Sequence, residues 1–317
     1  MKRIALIFSF ICLCFISLFL GAKNITLREI FSFDYESLQI FLISRVPRLI
    51  SILIAGAGMS ISGLIMQHIT QNKFVSPTTG ATIDSAQLGM MISIILFPSA
   101  GIMEKSLISF LSALLGTFVF MTILKNIRVK NSIFVPLIGI IFGNVIGSIT
   151  TFLGYKFDLI QSISSWMQGN FSMVLQGNYE FLYISIPLIV VSFFYASKFT
   201  IAGMGKDFAN NLGLSYEKIV NIGIIIVSLI TVSVVITVGS IPFIGLIVPN
   251  IVYLFKGDNM RKNIFSIGIV GIIFVLICDI LGRIVIYPYE LPIGITTGIF
   301  GSIIFLCIVL RRNKNAY

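Results

Sequence analysis

Three arginines stand where a chain of this apolarity has little room for charge. Arg45-Val46-Pro47-Arg48 opens one long apolar run, and Arg283 closes another. A guanidinium offers five donors in a fixed fork and grips a carboxylate through two bonds at once. Three of them converging make a dock for the carboxylates of a partner protein. Snorkelling to lipid headgroups is the plainer account of any one of them. Asp84 and Asp279 are carboxylates at or near membrane depth, where charge is costly and marks a function by default. Asp279 precedes Arg283 by four residues, so a pair within one helix explains it simply. Asp84 follows the loop-like Ser76-Pro77-Thr78-Thr79-Gly80, and a helix cap explains it as simply. A proton relay needs more members than these two.

Further candidates are polar stripes on apolar helices. Gly139, Gly143 and Gly147 recur every four residues, beside Asn144, Ser148 and Thr151. Gly294, Gly298 and Gly301 repeat the idea near the C-terminus, with Thr296 and Thr297 among them. Small residues allow close backbone approach, and the hydroxyls and the amide serve either as glue between helices or as the lining of a wet path. The segment Met204–Leu214 contains Lys206, Asp207, Phe208, Ala209, Leu212, Gly213 and Leu214. Its apolar spacing predicts a short amphipathic helix ending at Gly213. Such a helix is either a surface linker or an insert for a groove on a cytoplasmic partner.

Several chemistries are missing. No GxxxxGK[ST] loop is present, since Gly205-Lys206 is followed by aspartate, so nucleotide hydrolysis is expected in a separate subunit. The only histidine is His68, which leaves no HExxH and no serine–histidine–carboxylate set. Cys12, Cys14, Cys278 and Cys307 sit in apolar stretches without metal-ligand or disulfide spacing. No catalytic residue, metal site or cofactor is expected, and the chain is not read as an enzyme. The net charge of +10 carries no basic run of the kind that binds nucleic acid.

The elements that position these residues are membrane spans. Hydrophobic residues make up 57% of the chain, charged residues 11%, and mean hydropathy is +1.04. A span takes about 20 apolar residues. Ten stretches qualify or nearly do: 4–21, 46–69, 86–98, 106–124, 133–153, 181–197, 219–238, 244–255, 264–282 and 292–310. The third and eighth are short, and the eighth follows Pro242 and contains Pro249. The apolar start after Met1-Lys2-Arg3 has a poor cleavage site and reads as an uncleaved first helix. With ten spans, most of the 22 lysines and arginines fall on the side of the two termini, among them Lys2, Arg128, Lys130 and Lys206. Lys23, Arg28 and Arg45 fall on the other side. That bias places both termini in the cytoplasm. Two five-helix halves then have opposite orientations, as in an inverted repeat. The expectation is an all-α polytopic membrane protein with one transmembrane domain over 1–317.

Several stretches together resemble one family. They are Arg45-Val-Pro-Arg48, Ala55-Gly-Ala-Gly-Met-Ser-Ile-Ser-Gly63 with Met66-Gln67, and Ser76-Pro77 through Gly80. Trp166-Met-Gln-Gly169, Gly239-Ser-Ile-Pro-Phe-Ile-Gly-Leu-Ile-Val-Pro249 and Glu290-Leu-Pro-Ile-Gly294 complete the set. In order and spacing the chain resembles the FecCD permeases of bacterial ABC importers, which take up iron chelates, haem or cobalamin. The likeness covers essentially the whole chain. It implies a cobalamin-permease-like fold of type II importers in the cytoplasmic membrane. It also implies a second permease subunit, two cytoplasmic ATP-binding subunits and an extracytoplasmic siderophore-binding protein. By the same likeness Arg45, Arg48 and Arg283 receive glutamates of the binding protein. Lys206 to Leu214 sits on the ATPase, and the fifth and tenth spans line the path. Ser76 and Asn250 depart from the asparagine and histidine frequent in the family. The Ser76-Pro-Thr-Thr-Gly80 stretch with Asp84 is similar to the branch serving catecholate siderophores, where the partner permease is commonly a different chain, although a homodimer stays open. The alternatives are a proton-coupled secondary transporter using Asp84 or Asp279, and a membrane scaffold that transports nothing.

Overall fold

The computed structural model describes residues 3–21, 29, 35–126, 134–257 and 259–314. Lys2, Lys23, Arg28, Arg128 and Lys130 of the charge pattern lie outside them. Helix α1 covers Arg3–Phe19, α2 Tyr35–Ile69, α3 Thr82–Leu96, α4 Ile102–Asn126, α5 Phe134–Lys156 and α6 Ile160–Met167. Then follow α7 over Ser185–Ala202, α8 Lys206–Asn211, α9 Tyr216–Val238, α10 Ile244–Lys256, α11 Met260–Ile284 and α12 Ile293–Lys314. Among the described residues, seven helices are long and apolar enough to cross a bilayer, and the shorter apolar helices α1, α3 and α10 stand at the remaining expected positions. Among the described residues there is no strand, only an isolated parallel bridge between Gln168 and Ser240.

The second span is longer than its apolar pattern. It begins at Tyr35 rather than 46 and passes through a π-helical turn at Phe41–Arg45. Pro47 explains the turn. A proline inside a helix donates no bond to the carbonyl four residues back and crowds it. Here that carbonyl, Ile43 O, accepts from the backbone N–H of Gln176 at 3.0 Å. Pro249 inside α10 is handled alike, because the orphaned Gly245 O accepts from Gln67 Nε2 at 3.3 Å. Donors from neighbouring segments satisfy freed backbone groups in this way where no water reaches them. So α10 is short but continuous.

Burial sets the layers. In α2, 78% of the most apolar window is buried inside the chain, and in α9 72%, against 22% in α7 and in α12 and 28% in α5. Helices α2 and α9 therefore form the centre, with α7, α10 and α11 packed on α2 and with α3 joined to α4, α5 and α9. Lipid tails are as apolar as leucine, so spans associate through close packing rather than through escape from water. Gly56 meets the backbone of α11, where an added Cβ would lie 2.8 Å from Ile272 Cα. Gly63 faces the backbone of Gly245 more closely still.

One device occurs in each half. A proline turn and then a non-glycine residue in the left-handed region lead into a short helix. Pro77 and Ala81 (φ 56°) precede α3, while Pro242 and Phe243 (φ 65°) precede α10. The two turns touch, with the Pro77 ring against Gly245. Four spans lie between α3 and α10, so in an alternating bundle the two run in opposite directions.

Candidate functional site

The π-turn delivers Arg45 and Arg48 to one end of the bundle, where α1 and α11 also finish. All three predicted arginines converge there, and all are buried, with 7%, 8% and 4% of Arg45, Arg48 and Arg283 exposed. Arg48 donates through Nη2 to Asp279 Oδ1 at 2.8 Å and through Nη1 to Glu290 Oε2 at 2.6 Å. The other oxygen of Asp279 accepts from Arg283 Nη2, the pair expected within one helix. One carboxylate is thus clasped between two guanidiniums from different helices. Arg283 Nη1 also donates to Ser17 O and Leu20 O, both at 2.9 Å, and its Nη2 to Ser17 Oγ at 3.1 Å. Arg45 Nη1 donates to Leu18 O at 3.4 Å and to Leu20 O. These are the last carbonyls of α1, which a helix leaves without partners of its own. Two cations at a helix C-terminus satisfy them and complement the dipole.

The second candidate stands at the opposite end. Helix α8 lies between Gly205 (φ 113°) and Gly213 (φ 76°). Gly213 and Leu214 close it through N–H bonds to Asn210 O at 2.9 Å and Ala209 O at 3.0 Å. Ala209 is buried against the bundle, whereas Phe208 (47%), Leu212 (56%) and Met204 (60%) are exposed. Asp207 is exposed in the first turn, and Lys206 pairs with Glu217 at 3.2 Å. The helix touches the core through the turns around it. Gly203 abuts His68, and the Tyr216 hydroxyl reaches Ile69 O at 3.5 Å, both at the end of α2.

The third candidate is a groove of about 450 Å³ between α3 and α5, lined by Asp84, Gln87, Asn144, Gly147, Ser148 and Thr151. Asp84 is not a cap: it is the third residue of α3, and the N-cap Ala81 makes no side-chain bond. The glycine stripe of α5 seats its carboxylate, since a Cβ on Gly143 would lie 2.5 Å from Asp84 Oδ2. Ser148 and Thr151 donate to Asn144 O and Gly147 O, both at 2.8 Å, which leaves their lone pairs facing the groove. Thr296 and Thr297 do not join it. They are buried, and each donates to Ile293 O.

Residue types alone did not expose Glu290 as a partner of Arg48, nor the α1 carbonyls as partners of Arg45 and Arg283. Glu290 lay in a motif without a role, and only its placement in the segment after Arg283 hinted at contact. The Trp166–Gly169 stretch likewise has a physical reason. Ser240 N–H donates to Met167 O at 3.0 Å, Asn170 N–H to Val238 O at 2.8 Å and Gly294 N–H to Gly169 O at 3.1 Å. It ties the end of α9 to the start of α12. Gly169 and Gly239 (φ 89°) approach so closely there that a Cβ on Gly239 would lie 2.9 Å from Gly169 Cα.

The chain is 52% identical over its whole length to the petrobactin import system permease protein YclN of Bacillus subtilis, covering 100% of both chains. It is 38% identical to the petrobactin import system permease protein FatD of Bacillus anthracis, covering 96% of this chain and 89% of that one. In architecture it matches an inward-facing metal-chelate-type ABC transporter with a TM-score of 0.85 and 22% identity, covering 97% of this chain and 98% of the other. That likeness shows the fold. Residues 8–311 match the description "FecCD transport family". The bundle of apolar helices, the motifs that shape it and these relations together show that the chain is a membrane-embedded transport component and belongs to the FecCD transport family.

Proposed function

We propose that this chain is the permease subunit of an ABC importer that carries a ferric siderophore of the catecholate type across the bacterial cytoplasmic membrane. The full-length relation to a petrobactin import permease at 52% identity carries the reading. With both termini cytoplasmic, the arginine cluster lies outside and α8 inside, in keeping with the bias of lysine and arginine.

The groove of Asp84 and Asn144 supports a path on the exposed face of α3 and α5. Facing lipid, a carboxylate and an amide are costly. A second permease covering that face, with water between, removes the cost. A different chain is favoured for that role, by the likeness to the catecholate branch. Thr296 and Thr297, buried within the chain, are not counted in the path. Helix α8 presents Phe208 and Leu212 to an ATP-binding subunit as anchors for a groove. The arginine cluster receives carboxylates of the binding protein. Arg48 is held by Glu290, so a docking carboxylate must take the place of Glu290. The proton-coupled reading is not favoured, because both Asp279 oxygens are engaged by arginines and the relatives are import-system permeases.

The test is uptake of radiolabelled iron as catecholate or hydroxamate chelates in a deletion strain with this chain restored, beside an intact or a hydrolysis-dead ATPase. Uptake of a catecholate chelate only with the active ATPase supports the reading. Uptake that ignores the ATPase but collapses with an uncoupler overturns it. Hydroxamate-only uptake overturns the cargo alone.

A further inference from the structure

A groove of about 510 Å³ opens where the ends of α1, α10 and α11 meet, away from the arginine cluster and from the polar groove. Its lining changes character with depth. Arg261, Phe265 and Ile269 follow each other at four-residue spacing, so they share one face of α11. Ile269 therefore lies about 12 Å deeper along the helix than Arg261. Leu6 and Ile7 of α1 form the facing apolar wall. Lys256 and Lys262 join Arg261 at the mouth, and Lys256 Nζ donates to Ser266 Oγ at 2.6 Å, which holds the ammonium over the opening. Residues 256–262 contain those three cations and a single carboxylate, Asp258. Phe265 stays 60% exposed beside them.

A cationic mouth above an apolar slot has the polarity of a phospholipid, head at the helix ends and acyl chain along the helix. We propose that this groove binds one anionic phospholipid. Basic pockets between spans hold such headgroups, each nearby Lys or Arg strengthening binding about fivefold. A zwitterionic headgroup brings its own cation to the same three charges and gains little. Snorkelling accounts for cations at a helix end, yet it supplies neither a slot between helices nor headgroup preference. The placement also bears on α1. Arg45 and Arg283 clamp its C-terminal end, while Phe8, Ile11 and Phe15 are exposed along its length. The lipid adds a contact for α1 at its other end, beside Leu6 and Ile7.

Native mass spectrometry of the full-length permease in mild detergent tests this with dioleoyl phosphatidylglycerol, dioleoyl phosphatidylcholine and soluble glycerol 3-phosphate as probes. One phosphatidylglycerol retained at least about tenfold better than phosphatidylcholine is expected. The triple change Lys256→Gln, Arg261→Gln, Lys262→Gln should lose about fivefold in retention per cation removed, and Lys156→Gln at the other end should lose nothing. Ile269→Trp, which fills the slot and leaves the charges, should also release the lipid. Equal retention of the two lipids, or a folded triple variant that keeps phosphatidylglycerol, overturns the proposal. Displacement of the lipid by an equal concentration of glycerol 3-phosphate overturns it too, since the site then reads a phosphate alone. If the triple variant does not fold, Arg261→Gln decides by the same fivefold criterion.

Discussion

The two ends of the bundle treat charge in opposite ways. At the end that holds Arg48, five ionised groups interlock or cap a helix, and the three arginines are nearly sealed from solvent. At the other end the Lys206–Glu217 pair lies with 58% and 77% of its side chains exposed, beside exposed Phe208 and Leu212. A buried pair loses heavily when one member goes, because the survivor is left as an unpaired charge. An exposed pair contributes about 0–1 kcal/mol. Charge therefore holds the fold together at one end and lies at the surface at the other. Helix α2 spans the distance, carrying Arg48 at one end and His68, against the α8 turn, at the other.

Asp279→Ala should give the largest effect. It leaves Arg283 with no carboxylate partner and Arg48 with Glu290 alone, and a loss of about 3–5 kcal/mol is expected. Thermal unfolding in detergent reads this as a large drop in Tm, and an unchanged Tm would remove the structural role of the network. Arg283→Ala comes next. It leaves Asp279 with Arg48 but strips Ser17 O and Leu20 O of a donor, with about 2–3 kcal/mol lost. Protease sensitivity or thiol labelling of Cys12 and Cys14 should rise as α1 loosens. Equal labelling of variant and parent would mean that Arg45 alone holds α1.

Glu290→Gln should cost less, about 1 kcal/mol, since the Glu290 side chain is 23% exposed and Arg48 keeps Asp279. It sharpens the contrast between the ends, because it separates structural pairing from docking. With Glu290 neutral, Arg48 is easier to capture, so binding-protein affinity in nanodiscs should rise, while Arg48→Glu should lower it. Weaker docking with Glu290→Gln would mean that Glu290 itself belongs to the docking surface.

How much of this was legible in the sequence follows from range. Ten apolar runs and the short third and eighth spans were visible because hydropathy is a local property. The α8 helix was visible from Phe208, Leu212 and Gly213 for the same reason. The Asp279–Arg283 pair follows from four-residue spacing alone. Arg48 reaching Asp279 across 231 residues of chain and Glu290 across 242 does not, because it depends on how α2 and α11 pack. The extension of α2 back to Tyr35 was hidden by Pro47, which reads as a start and is absorbed by a π-turn. Thr296 and Thr297 sit in a polar-looking stripe, but a hydroxyl bonded to the preceding turn carries no sign of which way it faces. Asp84 looked like a cap from its loop, and only the seat made by Gly143 shows its place on the wall of the groove.

The smallest effect on stability should come at the Lys206 end. Lys206→Ala removes one exposed pair, and Phe208→Ser removes a ring that nearly half faces outward, so each should change unfolding by about 0.5 kcal/mol or less. Their consequences for function should diverge. Phe208 is an exposed aromatic on a short helix, the kind of side chain that anchors a docked helix, and truncating such an anchor costs about 2 kcal/mol of association. Binding-protein-stimulated ATP hydrolysis by the reconstituted complex should therefore fall about thirtyfold for Phe208→Ser at limiting subunit concentration, while Lys206→Ala stays near the parent. Ala209→Leu is a useful contrast, because Ala209 is buried beneath the helix and a larger side chain would lift α8 from the bundle. If Phe208→Ser instead lowered the Tm as Asp279→Ala should, the exposed end would be structural as well, and the division between the two ends would not hold.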